Sequence, residues 1–156
     1  MSAGCDIQET ILVVDDEQNI LKSLRRELLD MPYGLLTASS AAMALELMQT
    51  HPVSVIISDQ RMPGTCGTEL LAIVREKYPD TSRILLTAFS DIQDVIDAIN
   101  KGGIYKFLHK PWNTHELKQV IADAVDHCRL ARVQNGKKQS VVGPGNGAGQ
   151  DNPENA

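Results

Sequence analysis

A chain of 156 residues that is 42% hydrophobic and 22% charged has the make-up of one soluble globular domain with room for a sizeable core. Its formal net charge of -5, with no run of Lys or Arg longer than two residues, argues against a nucleic-acid-binding surface. The lack of any apolar run of about 18 residues excludes a transmembrane helix, and three distant cysteines without a CxxC pair (Cys5, Cys66, Cys128) exclude a disulfide framework or structural zinc site.

Thr10 to Val14 is a first short apolar run, followed at once by Asp15-Asp16-Glu17. Ile20, Leu21, Leu24 and Leu28 then recur at helical spacing, with Lys22, Arg25 and Arg26 between them, up to a stop near Met31-Pro32. Gly34 to Ala38 reads as a weaker strand. Ser39 or Ser40 caps a second helix with Ala41, Ala44, Leu45 and Met48 on one face, which His51-Pro52 ends. The stretch from Val53 to Gly67 is the centre of the reading. Val53, Val55, Ile56 and Ile57 form a short apolar run broken only by Ser54, the mark of a strand buried on both faces. That run ends on Asp59 and the turn residues Met62-Pro63-Gly64 and Gly67.

A third helix carries Leu70, Leu71, Val74 and Tyr78 and stops at Pro79. Arg83 to Thr87 is the fourth strand. Ser90 caps a helix with Ile92, Val95, Ile96 and Ile99, and Gly102-Gly103 ends it. Ile104 to Leu108 is the fifth strand. Asn113, with Glu116 three residues on, begins the last helix, with Trp112 and Leu117 at the spacing of a hydrophobic staple. The apolar face of that helix fades by about Arg132. The segment from about Asn135 is rich in Gly, Asn, Gln and Pro and has only Val141-Val142 to bury, so disorder is expected there. The predicted organisation is a flexible start at residues 1–8, a folded unit at 9–132 and a tail or linker at 133–156. Five alternations of strand and helix predict an α/β fold, a doubly wound parallel sheet with helices on both faces.

Strand ends carry the chemistry. Asp15 and Asp16 follow the first strand, Asp59 ends the third, Thr87 ends the fourth and Lys110 follows the fifth. All carboxyl ends of a parallel sheet lie at one edge, so these groups converge on one crevice. Any one of them alone reads as an ordinary turn residue; five on strand ends in one fold read as a site. Two carboxylates 4 Å apart repel by about 4 kcal/mol at an effective dielectric of 20. A divalent cation and a lysine counter-ion both relieve that repulsion. Oxygen ligands without His or Cys favour Mg²⁺ or Mn²⁺ over zinc. A hydroxyl and a lysine beside such an ion suit phosphoryl oxygens, and the inferred chemistry is phosphoryl transfer onto a carboxylate.

ILVVDDE, ISDQRMPG with Gly67, LLTAF and FLHKPW together resemble the receiver domain of bacterial two-component response regulators, over roughly residues 8–132. The resemblance implies a flavodoxin-like sheet of order 2-1-3-4-5 and a cis Lys110-Pro111 bond. It implies that Asp59 accepts a phosphoryl group from a sensor histidine kinase or phosphotransfer protein. Asp16 would ligate Mg²⁺ directly, Asp15 through water, and Arg61 through its backbone carbonyl, beside Asp59 itself. Thr87 would hydrogen-bond the phosphoryl group and Lys110 would pair with it. Turnover is limited to self-phosphorylation and autodephosphorylation, so the protein is not expected to be an enzyme in the usual sense. The implied output surface is the face of the fourth helix, fifth strand and fifth helix, offered to a downstream protein, an output domain or a second copy on phosphorylation. Cytoplasmic location, with no membrane or direct nucleic-acid contact, goes with that role.

The sequence departs from the family pattern in two places. The switch aromatic is Phe107, which lacks the hydroxyl or ring nitrogen for an outward hydrogen bond, so switching there must act through packing. Gln60 is polar where many receivers are apolar. Arg61 and Phe89 occupy positions that modulate phosphoryl lifetime in the family. The DQRMPG and FLHKPW wording is similar to receivers fused to cyclic-di-GMP phosphodiesterases of the HD-GYP type. A haloacid-dehalogenase-like phosphatase would need a second Asp two residues after its nucleophile and a cap insertion, and a Rossmann module a glycine-rich turn where DDE stands. A receiver-like module that works without phosphorylation is the remaining alternative. Among lesser candidates, His109 is expected to point away from the site because Lys110 points in. His51, His115 and His127 lack metal spacing, and Cys66 reads as an inert exposed thiol.

Overall fold

The computed structural model of the protein describes residues 8–88, 92–100 and 104–142. Ten elements alternate: β1 (Thr10–Val14), α1 (Gln18–Glu27), β2 (Gly34–Ala38), α2 (Ala41–Thr50), β3 (Val55–Asp59), α3 (Gly67–Lys77), β4 (Ser82–Thr87), α4 (Ile92–Asn100), β5 (Lys106–His109) and α5 (Thr114–Val142). The strands form one sheet in the order β2-β1-β3-β4-β5, with every neighbouring pair parallel.

Strand residues alternate between the two faces, so each strand feeds two cores. Ile11, Val13, Val55, Ile57, Ile84, Leu86 and Leu108 meet α1 and α5 on one side. Leu12, Val14, Ile56 and Leu85 meet α2, α3 and α4 on the other. β3 is buried along its whole length, including the polar Ser58 and Asp59 at its end. The amphipathic spacing of α1 buries Leu21 and Leu24. Of the two serine caps considered for α2, Ser40 is the one used: its hydroxyl accepts from the Met43 N–H at 3.1 Å. Asn113 caps α5 by accepting from the Glu116 N–H at 2.9 Å. The expected caps of α4 at Ser90 and Gly102-Gly103 lie outside the described residues, as does Phe89.

Four elements differ in their bounds from the sequence reading, the fourth strand by one residue, since it starts at Ser82 and not Arg83. The third strand starts at Val55, not Val53, and the fifth occupies Lys106–His109, not 104–108. In both cases parallel register decides: β4 pairs Ile84 with Lys106 and Thr87 with His109, while Tyr105 is held to β4 by one bond to the Arg83 carbonyl. The last helix continues past Arg132 to Val142. Loss of an apolar face does not end a helix by itself.

At the amino edge of the sheet a buried carboxylate ties β1 to α5. Glu9, only 6% exposed, accepts from Arg129 Nε at 2.9 Å, from Arg132 Nη2 at 3.0 Å and from the Ser54 hydroxyl. Burial pushes the Glu9 carboxyl up, but the hydrogen bonds from Ser54, Arg129 and Arg132 outweigh it and hold the group below its ordinary value. Its stabilising contribution is therefore present above the unfolded value of 4.5 and is lost as pH falls through the lower folded value. Glu9→Gln is expected to cost about 2 kcal/mol at pH 7. Urea unfolding from pH 7 down to pH 3 checks this: the gap between variant and wild type should close as the wild-type carboxyl protonates.

Candidate functional site

The carboxyl edge of the sheet gathers charge from three strands that are far apart in sequence. β1 hands over to Asp15, which is fully buried; Asp16 beside it is exposed; Asp59 is the last residue of β3 and 7% exposed. Oxygens from Asp15, Asp16 and Asp59 all lie within 4.8 Å of one another. Lys110, delivered by β5, places its ammonium 2.8 Å from Asp59 Oδ1 and 3.2 Å from Asp15 Oδ2. The free oxygen of Asp15 accepts the Glu17 N–H at 2.9 Å, which fixes the carboxylate against the start of α1. The Lys110 backbone N–H donates to the Thr87 carbonyl at 2.9 Å, and the Lys110-Pro111 bond is cis.

Three carboxylates against one ammonium leave the cluster short of positive charge. Burial raises the Asp59 carboxyl above its ordinary value; the Lys110 hydrogen bond opposes this, and the charges of Asp15 and Asp16 add to the rise. Burial lowers the Lys110 ammonium, yet its contacts with Asp59 and Asp15 more than compensate and leave it raised, hence a fixed cation. A hard divalent ion fits such a donor set: it takes carboxylate oxygens, tolerates one exposed ligand such as Asp16, and offsets the charge that Lys110 leaves. Of the described residues, these three alone form a group of His, Cys, Asp and Glu able to hold a metal.

The other residues singled out in the sequence are placed by β4, β5, α5 and the loop after β3. Thr87 is fully buried at the end of β4 and its hydroxyl donates to the Ala88 carbonyl at 3.1 Å. Arg61 is exposed in the loop after β3. Phe107 is half-buried against the core shared by α2, α3 and α4. The His109 ring lies edge-on to Phe107 at 5.4 Å, so it follows Phe107 rather than Lys110. Tyr105 is exposed and stacks on His127 at 4.6 Å. Cys66 and Cys128 are free thiols.

Two features of the β3–α3 loop escaped sequence reasoning. Gln60 is 4% exposed, and its side chain holds the first turn of α3: Oε1 accepts from the Thr68 N–H at 2.9 Å. The sole sign in the sequence was a polar residue closing an apolar strand. Gly67 was legible as a turn residue but has another role. A Cβ placed there would meet the Asp59 carbonyl oxygen at 2.3 Å, so α3 starts in direct contact with the strand end that bears the site.

Known proteins share both the sequence and the shape. The family model "Response regulator receiver domain" matches residues 11–122. The hydrogenase transcriptional regulatory protein HoxA of Cupriavidus necator is 45% identical over 121 residues, 78% of this chain and 25% of that protein. The transcriptional regulatory protein GlrR of Escherichia coli is 35% identical over 116 residues, 74% of this chain and 26% of that protein. The chain thus spans about a quarter of the length of these curated relatives. Among solved structures, the signal receiver domain of an HD domain-containing protein from Pseudomonas fluorescens superposes with a TM-score of 0.76 at 38% identity, covering 79% of this chain and 98% of that one.

Proposed function

The chain belongs to the response regulator receiver domain family, and we propose that in it Asp59 is the residue that accepts the phosphoryl group. The observation that carries this is the contact of one ammonium, Lys110, with both Asp59 and the buried Asp15 inside a three-carboxylate cluster. A carboxylate oxygen of Asp59 attacks phosphorus and the bond from phosphorus to the donor breaks. With a phosphohistidine donor that is a P–N bond, whose electron pair stays on the imidazole nitrogen. Asp59 needs no proton removed for this, because it attacks as the anion. Lys110 stays protonated and turns from the Asp59 oxygen to a phosphoryl oxygen, and the Thr87 hydroxyl exchanges the Ala88 carbonyl for another. Asp15, Asp16, Asp59 and the Arg61 carbonyl would hold Mg²⁺ or Mn²⁺, whose chemistry when bound is to neutralise charge on the phosphoryl oxygens.

The donor is a sensor histidine kinase or phosphotransfer protein, in keeping with a cytoplasmic location; no helix among the described residues is long and apolar enough to cross a membrane. The receiving surface for the output is the α4–β5–α5 face, where Ile96, Ile99 and Tyr105 stand 44%, 46% and 39% exposed. Phe107 under that face carries the change by repacking. Residues 9–132 are the receiver unit, and its output is a protein partner or an output module. The quarter-length match to transcriptional regulators supports such a module, and a second copy of the chain is a further partner for the same face.

Intact mass after incubation with acetyl phosphate, with and without Mg²⁺, tests the reading. One phosphoryl group is expected, only with Mg²⁺, and borohydride reduction should convert residue 59 alone to homoserine. Reduction at another carboxylate, or no uptake together with no binding of beryllofluoride, would overturn it.

A further inference from the structure

Gln60 follows the acceptor carboxylate directly, and it is buried, polar and fully engaged. Its backbone N–H donates to the Leu86 carbonyl of β4 at 3.1 Å, and its carbonyl accepts from the Gly67 N–H at 3.0 Å. The side chain repeats the connection one residue further on. Oε1 accepts from the Thr68 N–H at 2.9 Å, and Nε2 donates to the Thr68 hydroxyl at 3.4 Å. Two of the helix donors that would otherwise lack partners at the start of α3 are thus met by one residue at the end of β3, main chain and side chain together. Glu69 meets a third by accepting from the Cys66 N–H at 3.1 Å.

These bonds close residues 61–66 into a loop whose two ends are fixed within one residue pair. The loop is otherwise lightly held. Met62 is its buried anchor, Arg61, Pro63 and Gly64 are exposed, and Gly64 adopts φ +83. The Arg61 carbonyl sits in that loop one residue beyond Gln60, so a fixed Gln60 narrows the positions open to this carbonyl. We propose that Gln60 is a positioning residue: its amide clip to Thr68 holds the Arg61 carbonyl and the Asp59 main chain in the arrangement that takes up the divalent cation. The inference rests on the metal-ligand reading of Asp15, Asp16, Asp59 and Arg61 given above.

The variants that test it are Gln60→Met, which keeps length and volume but removes both amide bonds, and Gln60→Glu, which keeps an acceptor for the Thr68 N–H. Calorimetric titration with Mg²⁺ alone, on the whole chain, is expected to show binding about tenfold weaker in Gln60→Met and within about threefold of wild type in Gln60→Glu. Amide exchange at Gly67 and Thr68 should be faster in Gln60→Met, and Mg²⁺ should slow it in wild type. Equal Mg²⁺ affinity in Gln60→Met and wild type would overturn the positioning role while leaving the phosphoacceptor reading intact. If wild type binds no Mg²⁺, the metal reading fails and the positioning role falls with it. Should Gln60→Met not fold, wild-type exchange decides: no Mg²⁺-dependent slowing at Thr68 and Gly67 overturns the proposal.

Discussion

Asp59→Asn is expected to abolish phosphoryl uptake from acetyl phosphate and, with divalent cations removed, to raise the melting temperature at neutral pH. The first effect follows from chemistry, since an amide oxygen is a far poorer nucleophile than a carboxylate and forms no acyl phosphate. The second follows from charge. Burial and the charges of Asp15 and Asp16 raise the Asp59 carboxyl against the pull of Lys110. A carboxyl raised on folding favours the folded state below its unfolded value of 3.8, and this advantage is lost as pH rises through the folded value. At pH 7 the ionised group is then a net cost, which asparagine removes while retaining an oxygen for Lys110. The gain is on the order of 1 kcal/mol, or roughly 3 °C in Tm for a domain of this size. It should vanish at pH 3, where wild-type Asp59 is itself largely protonated. It should also shrink when Mg²⁺ is added, because an ion held in part by Asp59 would bind folded wild type more tightly than the variant. Calorimetric melts at pH 7 and pH 3, with EDTA or with Mg²⁺, measure all of this. A variant less stable than wild type at pH 7 in EDTA would mean that the Lys110 contact outweighs the repulsion.

Gly67→Ala is expected to destabilise the domain by more than about 3 kcal/mol, although alanine is the better helix former. The cause is space, not backbone conformation. The new methyl would lie 2.3 Å from the Asp59 carbonyl oxygen and 2.9 Å from Cδ1 of Leu85. The first of these neighbours is backbone at the end of a central strand, and the second is a fully buried side chain of the α2–α3–α4 core. Neither can give way cheaply, so α3 must lift from β3 and loosen the Gly67 to Gln60 bond. Gly64→Ala is the control. Gly64 has φ +83 but nothing within 4 Å of an added Cβ, so it incurs only backbone strain, about 1 kcal/mol. Urea unfolding of both variants settles the order; equal losses would mean that the contact between α3 and the end of β3 yields readily. Because the clash falls on the Asp59 carbonyl, Gly67→Ala should also weaken Mg²⁺ binding in whatever fraction remains folded.

Much of this molecule was determined by sequence alone. The short apolar runs that become β1 and β3 and the 3.6-residue spacing of the helices are local patterns, and they point to five strands, five helices and a parallel sheet. The acidic pair, Asp59 and Lys110 could be placed at one edge because every strand of a parallel sheet ends on the same side. What lay beyond the sequence depends on partners distant along the chain. The start of β5 is set by its register against β4. The burial of Glu9 is set by two arginines on α5, 120 and 123 residues away. Gln60 looked like a polar exception in an apolar setting until the turn of α3 that it holds was seen beside it. Local periodicity reports which face of an element is apolar; only the packed chain shows which polar group meets which, because hydrogen bonds are satisfied across space and not along the sequence.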